Sequence, residues 1–414
     1  MTTLDQICLN IVDCEHKTAP IQDIGIPSIR TTDIKGGVID FRGANKVSEE
    51  TYKGWIQRLE PQPQDLILAR EAPVGEVGII PKGQRACLGQ RTVLIRSNPD
   101  KVYPHYLLYL MLSREVQHEM QIRVAGSTVE HLNMSDIREL KLPKLPSLEV
   151  QCQIGDTLAN LDRKISNLRK QNETLEAIAQ TLFKHWFVDF EFPNEDGKPY
   201  KSSGGEMVRS ELGEIPVGWR VGKLEDICKI INGFAFKSQD YRDDGVKIIR
   251  TKNFSEAGFI EPNDLVFISK AQLDKYSGFE LRKFDFLMVM VGASIGKFVV
   301  TTSHILPALQ NQNMWNFRSI IQEDQMFLNY SLKILISQHS NSATGSAREF
   351  FRKDYFYKIS IVLPDDEIIK AFSIFCLRLA SKVDLNIRQI QSLTKARDVL
   401  LPKLMSGKLR ITAS

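Results

Sequence analysis

The sequence predicts an α+β protein made of two similar mixed α/β domains and two long antiparallel coiled-coil helices, arranged with pseudo-two-fold symmetry. Two observations predict it. The chain repeats its own landmarks at an offset that drifts only between 218 and 222 residues, and each copy closes on a heptad pattern. A repeat of this length is far beyond the ~20–50 residues of solenoid units, so it marks a duplicated domain with its helix.

The landmarks run through the whole chain. Leu4-Asp5-Gln6-Ile7-Cys8 returns as Leu224-Glu225-Asp226-Ile227-Cys228, and Arg30-Thr31 as Arg250-Thr251. Gly75 aligns with Gly296, Arg96 with Arg318, Gly126-Ser127 with Gly345-Ser346, and Leu145-Pro146 with Leu363-Pro364. The copies place a first globular domain over residues 1–146, a helix over 147–192, a connector over 193–213, a second domain over 214–364 and a C-terminal helix over 365–414.

Within the first domain, Leu66–Leu68 and Val77–Ile80 are short apolar runs between Gly- and Pro-rich turns, which predicts strands. Tyr106–Gln121 has helical spacing and predicts one helix. The second domain repeats the order, with strands over Phe286–Met290 and Lys297–Val300 and a helix over Met326–Gln338. Ile154, Leu158, Leu161, Ile165, Leu168, Asn172, Leu175, Ala179, Leu182 and Trp186 then form an a/d seam. A shift of 218 gives the second seam: Phe372, Cys376, Leu379, Val383, Asn386, Ile390, Leu393, Arg397, Leu400 and Leu404. Two such seams in one chain most simply cover each other, since both left open would invite aggregation. Asn172, Asn386 and Arg397 lower the stability of the seam but can fix its register, with Asn172 expected opposite Ile or Leu. Pro402 is expected to end or kink the second helix. Pro193–Gly213, rich in Gly, Ser and charge, reads as a turn-rich connector.

Composition narrows the function class only a little. Hydrophobic residues make up 43% and charged residues 25%, ordinary for a globular protein, and the net charge of +4 neither demands nor forbids nucleic acid. Met1–Val12 carries no signal-peptide pattern, and the most apolar stretch, Phe286–Leu309, is broken by Lys297 and His304. Six scattered cysteines with no C-x-x-C pair suit free thiols, so a cytoplasmic protein without a membrane segment is expected.

The search for catalytic chemistry is mostly empty. Gly292–Lys297 is one residue short of a P-loop, and Phe298 stands where a magnesium-holding hydroxyl is needed. Asp196-Gly197-Lys198 has a minimal nuclease form but sits in the connector, away from partner carboxylates. No run suited to an adenine amino group is present, and the histidines show no metal-ligand spacing. No catalytic and no metal residue is therefore assigned.

What remains is polar, cationic loops at matching places. The first copy offers Arg30, Thr31, Gln90, Arg91, Arg123, Ser127 and Thr128. The second offers Arg250, Thr251, Lys252, Asn253, Gln312, Asn313, Ser346, Arg348 and Arg352. Arg, Lys, Asn and Gln can read base edges by paired hydrogen bonds, so these are the candidate DNA-binding residues.

This order resembles the specificity (S) subunit of type I restriction–modification systems, over essentially the whole chain. The local pieces are Thr181–Phe190 (with Trp186-Phe187-Val188-Asp189), Leu212–Trp219 and Ala396–Gly407. One departure is the start at Leu4, without the Pro-Val-Gly-Trp lead-in of the second copy. The resemblance implies two target recognition domains on a helical ruler. It implies a bipartite target in double-stranded DNA and no catalysis by this chain. It also implies two methyltransferase subunits that use S-adenosylmethionine and two ATP- and magnesium-dependent translocase/nuclease subunits. No cofactor would be bound by this chain itself. Counting roughly 35 residues at ~1.5 Å each gives a ruler on the order of 50 Å. A competing reading is a non-catalytic two-headed scaffold for a protein partner; a lone nuclease or methyltransferase is disfavoured by the missing motifs.

Overall fold

A computed structural model describes residues 2–124, 130–340 and 352–411. It divides into two compact units, Met1–Asn167 with Gln391–Ser414, and Leu168–Ile390. Each unit holds one head and stretches of both long helices.

The head of the first unit is built on a four-stranded antiparallel sheet in the order Cys8–Asp13, Thr92–Ser97, Leu66–Ala69, Val77–Ile79. A three-stranded sheet lies beside it, where Ile26–Ile29 pairs antiparallel with Asn45–Val47 and parallel with Cys87–Leu88. Successive side chains of a strand point to opposite faces. Leu66, Leu68, Val93 and Ile95 therefore enter one core, with Tyr106, Leu107, Leu110, Ile154 and Leu158. Ile67, Ala69 and Leu94 enter another, with Ile29, Ile34, Ile39 and Ile80. Burial on both faces explains why these strands read as unbroken apolar runs.

The second head repeats this plan. Its four-stranded sheet runs Cys228–Asn232, Met314–Ser319, Phe286–Val289, Phe298–Val300. Val246–Ile249 again pairs antiparallel with one strand (Val266–Ile268) and parallel with another (Ala308–Gln310). Even the small closing ladder recurs, as Thr2–Thr3 with Lys141–Leu142 and as Arg220–Lys223 with Ser360–Leu363. Arg96 on Asp65 (2.7 Å) and Arg318 on Asp285 (2.5 Å) brace the two sheets at equivalent places, with both aspartates buried.

The expected helix over Tyr106–Gln121 is two helices, Pro104–Met111 and Arg114–Val124. The break falls at Leu112-Ser113, where the Ser113 hydroxyl donates to Leu110 O (2.6 Å) and accepts from Val116 N (3.5 Å), capping the second helix. The long helices cover Leu148–Phe187 and Asp366–Met405. Pro402 does not end the latter. It costs the bond to Asp398 O, but the helix needs only one more turn, which Ser406 N closes onto Pro402 O at 3.1 Å.

In the first unit, Ile154 and Leu158 of one helix share a core with Leu404 of the other, and Arg397 Nη1 donates to Asp162 Oδ1 at 2.8 Å. The chain directions there are antiparallel. They are antiparallel again in the second unit, where Asn386 meets Asn172 and the Trp186 and Phe372 rings lie 6.1 Å apart. Asn172 thus faces Asn386, not an aliphatic residue.

The connector is more ordered in pattern than a run of turns. Met207–Ser210 and Gly213–Pro216 form a hairpin, and Asn194 Oδ1 accepts from the backbone of Asp196 (3.1 Å) and Lys198 (2.9 Å). Trp219 stacks with Phe192 at 4.8 Å and lies tilted to Phe187 at 6.0 Å, beside Phe183, Phe327 and Phe372. Aromatic packing of this density anchors the second head on the helices.

Candidate nucleic-acid interface

The polar loops of each head gather beside the four-stranded sheet. In the first head, Arg30 opens a short 3₁₀ turn (Thr31–Asp33) whose Asp33 accepts from the Arg30 backbone at 2.9 Å and from its guanidinium at 2.9 Å. The Arg30 side chain remains 44% exposed and can still donate outward. The Thr31 hydroxyl donates to Ala72 O at 3.1 Å, stitching this turn to the hairpin tip Glu71–Gly75. Arg70 N donates to Arg91 O, joining the Gln90-Arg91 turn to the same tip. Gln90 and Arg91 are exposed, and Arg91 reaches Glu71 at 3.3 Å, where His131 Nδ1 also lies at 3.5 Å. Arg91 has φ 65°, an unusual backbone for a non-glycine residue.

The second head builds the same surface from different residues. Arg250 opens the turn Thr251–Asn253, and its N–H donates to Asn253 Oδ1 at 2.9 Å. Its guanidinium donates to Asp264 O, while Lys252 Nζ lies 3.3 Å from the Asp264 carboxylate. Asn313 repeats the left-handed backbone of Arg91, with φ 70°, and its carbonyl accepts from Met290 N at 3.0 Å. Gln312 is exposed; its N–H donates to Phe234 O at 2.9 Å. Gly233 runs so close to this turn that a Cβ there would lie 1.8 Å from Asn311 O, so only glycine fits.

Some candidate residues belong to the framework instead. Asn253 is 1% exposed and donates to Asn263 O at 2.7 Å; Thr31 is likewise buried. Both are short polar side chains that cap turns, the chemistry that also made them look like base readers. Arg123 is held by Glu119 (3.1 Å), Asp136 (3.6 Å) and Glu139 O (2.9 Å), so its guanidinium braces the helix end. Thr251 is half-buried in its turn, and Arg352 is exposed but paired with Asp354 at 2.8 Å. Ser127, Thr128, Ser346 and Arg348 lie outside the described residues.

Two segments that border these loops were not among the candidate DNA-binding residues. One is the hairpin tip Val291–Ile295, exposed throughout and turned at Gly292 with φ 88°. The other is Asn232–Lys237, laid along Asn311-Gln312 by the Phe234 bonds. Gly233 was the available signal for the second. Carboxylates such as Glu71 and Asp264 within these surfaces can accept from a cytosine amino group, so their presence suits base reading as well as cation pairing.

Asp13, Cys14 and His16 bring one ligand atom each within 4.8 Å of one another, a grouping that spacing alone did not suggest. The Asp13 carboxylate already accepts from Arg70 (2.8 Å) and lies 2.9 Å from His16 Nε2. A half-buried guanidinium at that distance repels a metal cation, so an ion-pair brace accounts for the group. The six cysteines are free thiols, and burial pushes Cys8, Cys228 and Cys376 up to about 12. Among the described residues, no helix is long and apolar enough to cross a membrane.

Two heads of one topology on long paired helices, each presenting a polar loop cluster, define a family, and the comparisons name it. The family model described as "Type I restriction modification DNA specificity domain" matches residues 17–177 and again 216–395. The chain belongs to the type I restriction–modification DNA specificity family. It is 30% identical over 374 residues to the type I restriction enzyme MjaIX specificity subunit of Methanocaldococcus jannaschii, spanning 89% of this chain and 83% of that one. The HindI specificity subunit of Haemophilus influenzae is 26% identical over 377 residues, with 77% and 80% spanned. The fold is shared with a crystal structure of the type I S subunit from M. genitalium, at a TM-score of 0.60 and 14% identity over 100% of this chain and 96% of that one.

Proposed function

We propose that this chain is the DNA-specificity subunit of a type I restriction–modification complex. Each head reads one half of a bipartite target in double-stranded DNA. The observation that carries this reading is the duplication: the same strand order recurs in both heads, and the loop turns at Arg91 and Asn313 share one unusual backbone while differing in side chains. A conserved frame with divergent loops suits a target of two different short half-sites.

Base reading falls to the exposed residues Arg30, Gln90 and Arg91 in one head and, in the other, to the half-buried Arg250 with the exposed Lys252, Gln312 and Asn313. Phosphate contact falls to the exposed Arg352, which holds Asp354 now and can exchange it for DNA oxygens. The chain has no catalytic role and binds no cofactor. It positions two methyltransferase subunits, which supply S-adenosylmethionine chemistry on adenine, and two ATP- and magnesium-dependent restriction subunits, in the cytoplasm. The test is sequencing of methylated adenines in a host that carries this chain with its methyltransferase. A single bipartite motif is expected. Methylation without a motif, or a motif unchanged when the loops are replaced, rejects the reading.

A further inference from the structure

The two long helices derive from one repeated pattern, yet their polar seam residues occupy non-equivalent positions. A shift of 218 sets Asn172 on Ile390, Leu168 on Asn386, Asp162 on Ala380 and Ala179 on Arg397. In the structure each polar residue nonetheless meets a polar partner. Asn386 Nδ2 donates to Asn172 Oδ1 at 2.8 Å, with both side chains buried. Arg397 Nη1 donates to Asp162 Oδ1 at 2.8 Å, and Tyr109 OH donates to Asp162 Oδ2 at 2.6 Å.

We propose that these two layers form a pairing code that makes the first helix select the second and reject another copy of itself. The aliphatic layers cannot make this choice. Ile154, Leu158, Ile165 and Leu168 would pack about as well on a duplicate of their own seam. The polar layers can. Two first helices laid antiparallel in the same register set Asn172 against Leu168 twice, and Asp162 loses its guanidinium to Ala179. Two second helices set Asn386 against Ile390 twice and Arg397 against Ala380. Each buried amide without a partner weakens the wrong pairing by about tenfold or more.

Even in the correct pairing Asn386 Oδ1 meets no donor among the described residues, so the layer is a poor source of stability. Its value lies in discrimination, the role a polar seam residue plays in specifying coiled-coil partners. The partner refused is a second copy of this chain, whose helices would otherwise exchange with these. The inference is independent of what the heads bind.

The test uses three full-length chains. Leu168→Asn with Asn386→Leu rewires the layer: the first helix becomes complementary to itself, and the second becomes aliphatic throughout that layer. Asn172→Leu with Asn386→Leu erases the layer. Asn386→Leu alone leaves Asn172 buried against leucine. Light scattering over a concentration series should show the rewired chain at twice the mass of the unsubstituted chain, with the erased chain unchanged in mass. In thermal unfolding, Asn386→Leu alone should lower Tm, and adding Asn172→Leu should restore it. A rewired chain of native mass and native Tm overturns the proposal. If the rewired chain does not fold, the melting cycle decides: restoration supports the code, and simple additivity of the two substitutions overturns it.

Discussion

A residue suited to reading a base is also suited to capping a turn, and Asn253 shows which use prevails. Its amide is buried and spends its hydrogen bonds on Arg250 N and Asn263 O. Asn253→Ala should destabilise the second head by about 1–2 kcal/mol, as loss of a cap does, and leave base preference unchanged. Gln312→Ala is expected to do the reverse: near-native stability, and a loss of about 1–3 kcal/mol confined to one base position of one half-site. Denaturant unfolding and binding to a panel of single-base variants separate the two outcomes; equal behaviour of both substitutions rejects the assignment. Asp384 supplies a pH dependence. Burial alone would raise its pKa, but the N–H and hydroxyl of Ser303 at 2.7–2.9 Å and Lys283 at 3.0 Å outweigh it and hold the carboxyl below its usual range. A depressed folded pKa gives stability that is full above the unfolded value of about 3.9 and is lost as pH falls through the folded one. Asp384→Asn should therefore cost about 1–3 kcal/mol at pH 7. The gap to the native chain should close as pH drops below about 4, and a gap that stays constant would assign the loss to packing instead. Candidate residue types were legible in the sequence, but their burial was not, because it depends on turns closed by distant residues, Asn263 at 10 positions from Asn253 and Ala72 at 41 from Thr31.

At the scale of elements, periodicity carried far. The seams, the strands around Leu66–Ala69 and Phe286–Val289 and the helix Gln325–Ser340 were legible because apolar spacing alone encodes them. The break at Leu112-Ser113 was not, since the apolar pattern runs across it and a single serine hydroxyl makes the cap. The facing of Asn172 and Asn386 was also hidden: a seam shows which side is buried, but not which layer of the partner it meets. This layer refines how helix length can be altered. A heptad inserted after Gln171 alone would move Asp162 about 10 Å from Arg397 at ~1.5 Å per residue. A matched second heptad after Asn386 keeps both polar layers intact. The paired insertion is expected to lengthen the non-specific spacer of the methylated motif by about three base pairs, at ~3.4 Å per pair. Both half-sites should stay the same; a fixed spacer with altered half-sites would show that the helices are not the ruler.

For the whole molecule, duplication predicts independence of the heads. Substituting Arg30, Gln90 and Arg91 should alter one half of the motif, and substituting Arg250, Lys252, Gln312 and Asn313 only the other. Methylome sequencing checks this, and a change in both halves from either set rejects it. The isolated chain, given S-adenosylmethionine, magnesium and ATP, should neither methylate nor cut DNA; turnover that persists through further purification would show chemistry of its own. The repeat itself was fully legible, because matching landmarks need no knowledge of contacts.

Leu404 lies in the same core as Leu4, Leu107 and Leu158, with Leu400, Met405 and Ile411 packed against it. The first head is thus completed by residues from the far end of the chain. On a ribosome adding ~5–20 residues per second, the wait between Asn167 and Gln391 is on the order of 10–50 s. For that interval the head synthesised first keeps Ile154 and Leu158 without their cover, while the second head has all its parts before it. Birth order and finishing order are therefore inverted. A nascent chain stalled near residue 390 should be cut by protease within its first head, and extension through Ile411 should close that site.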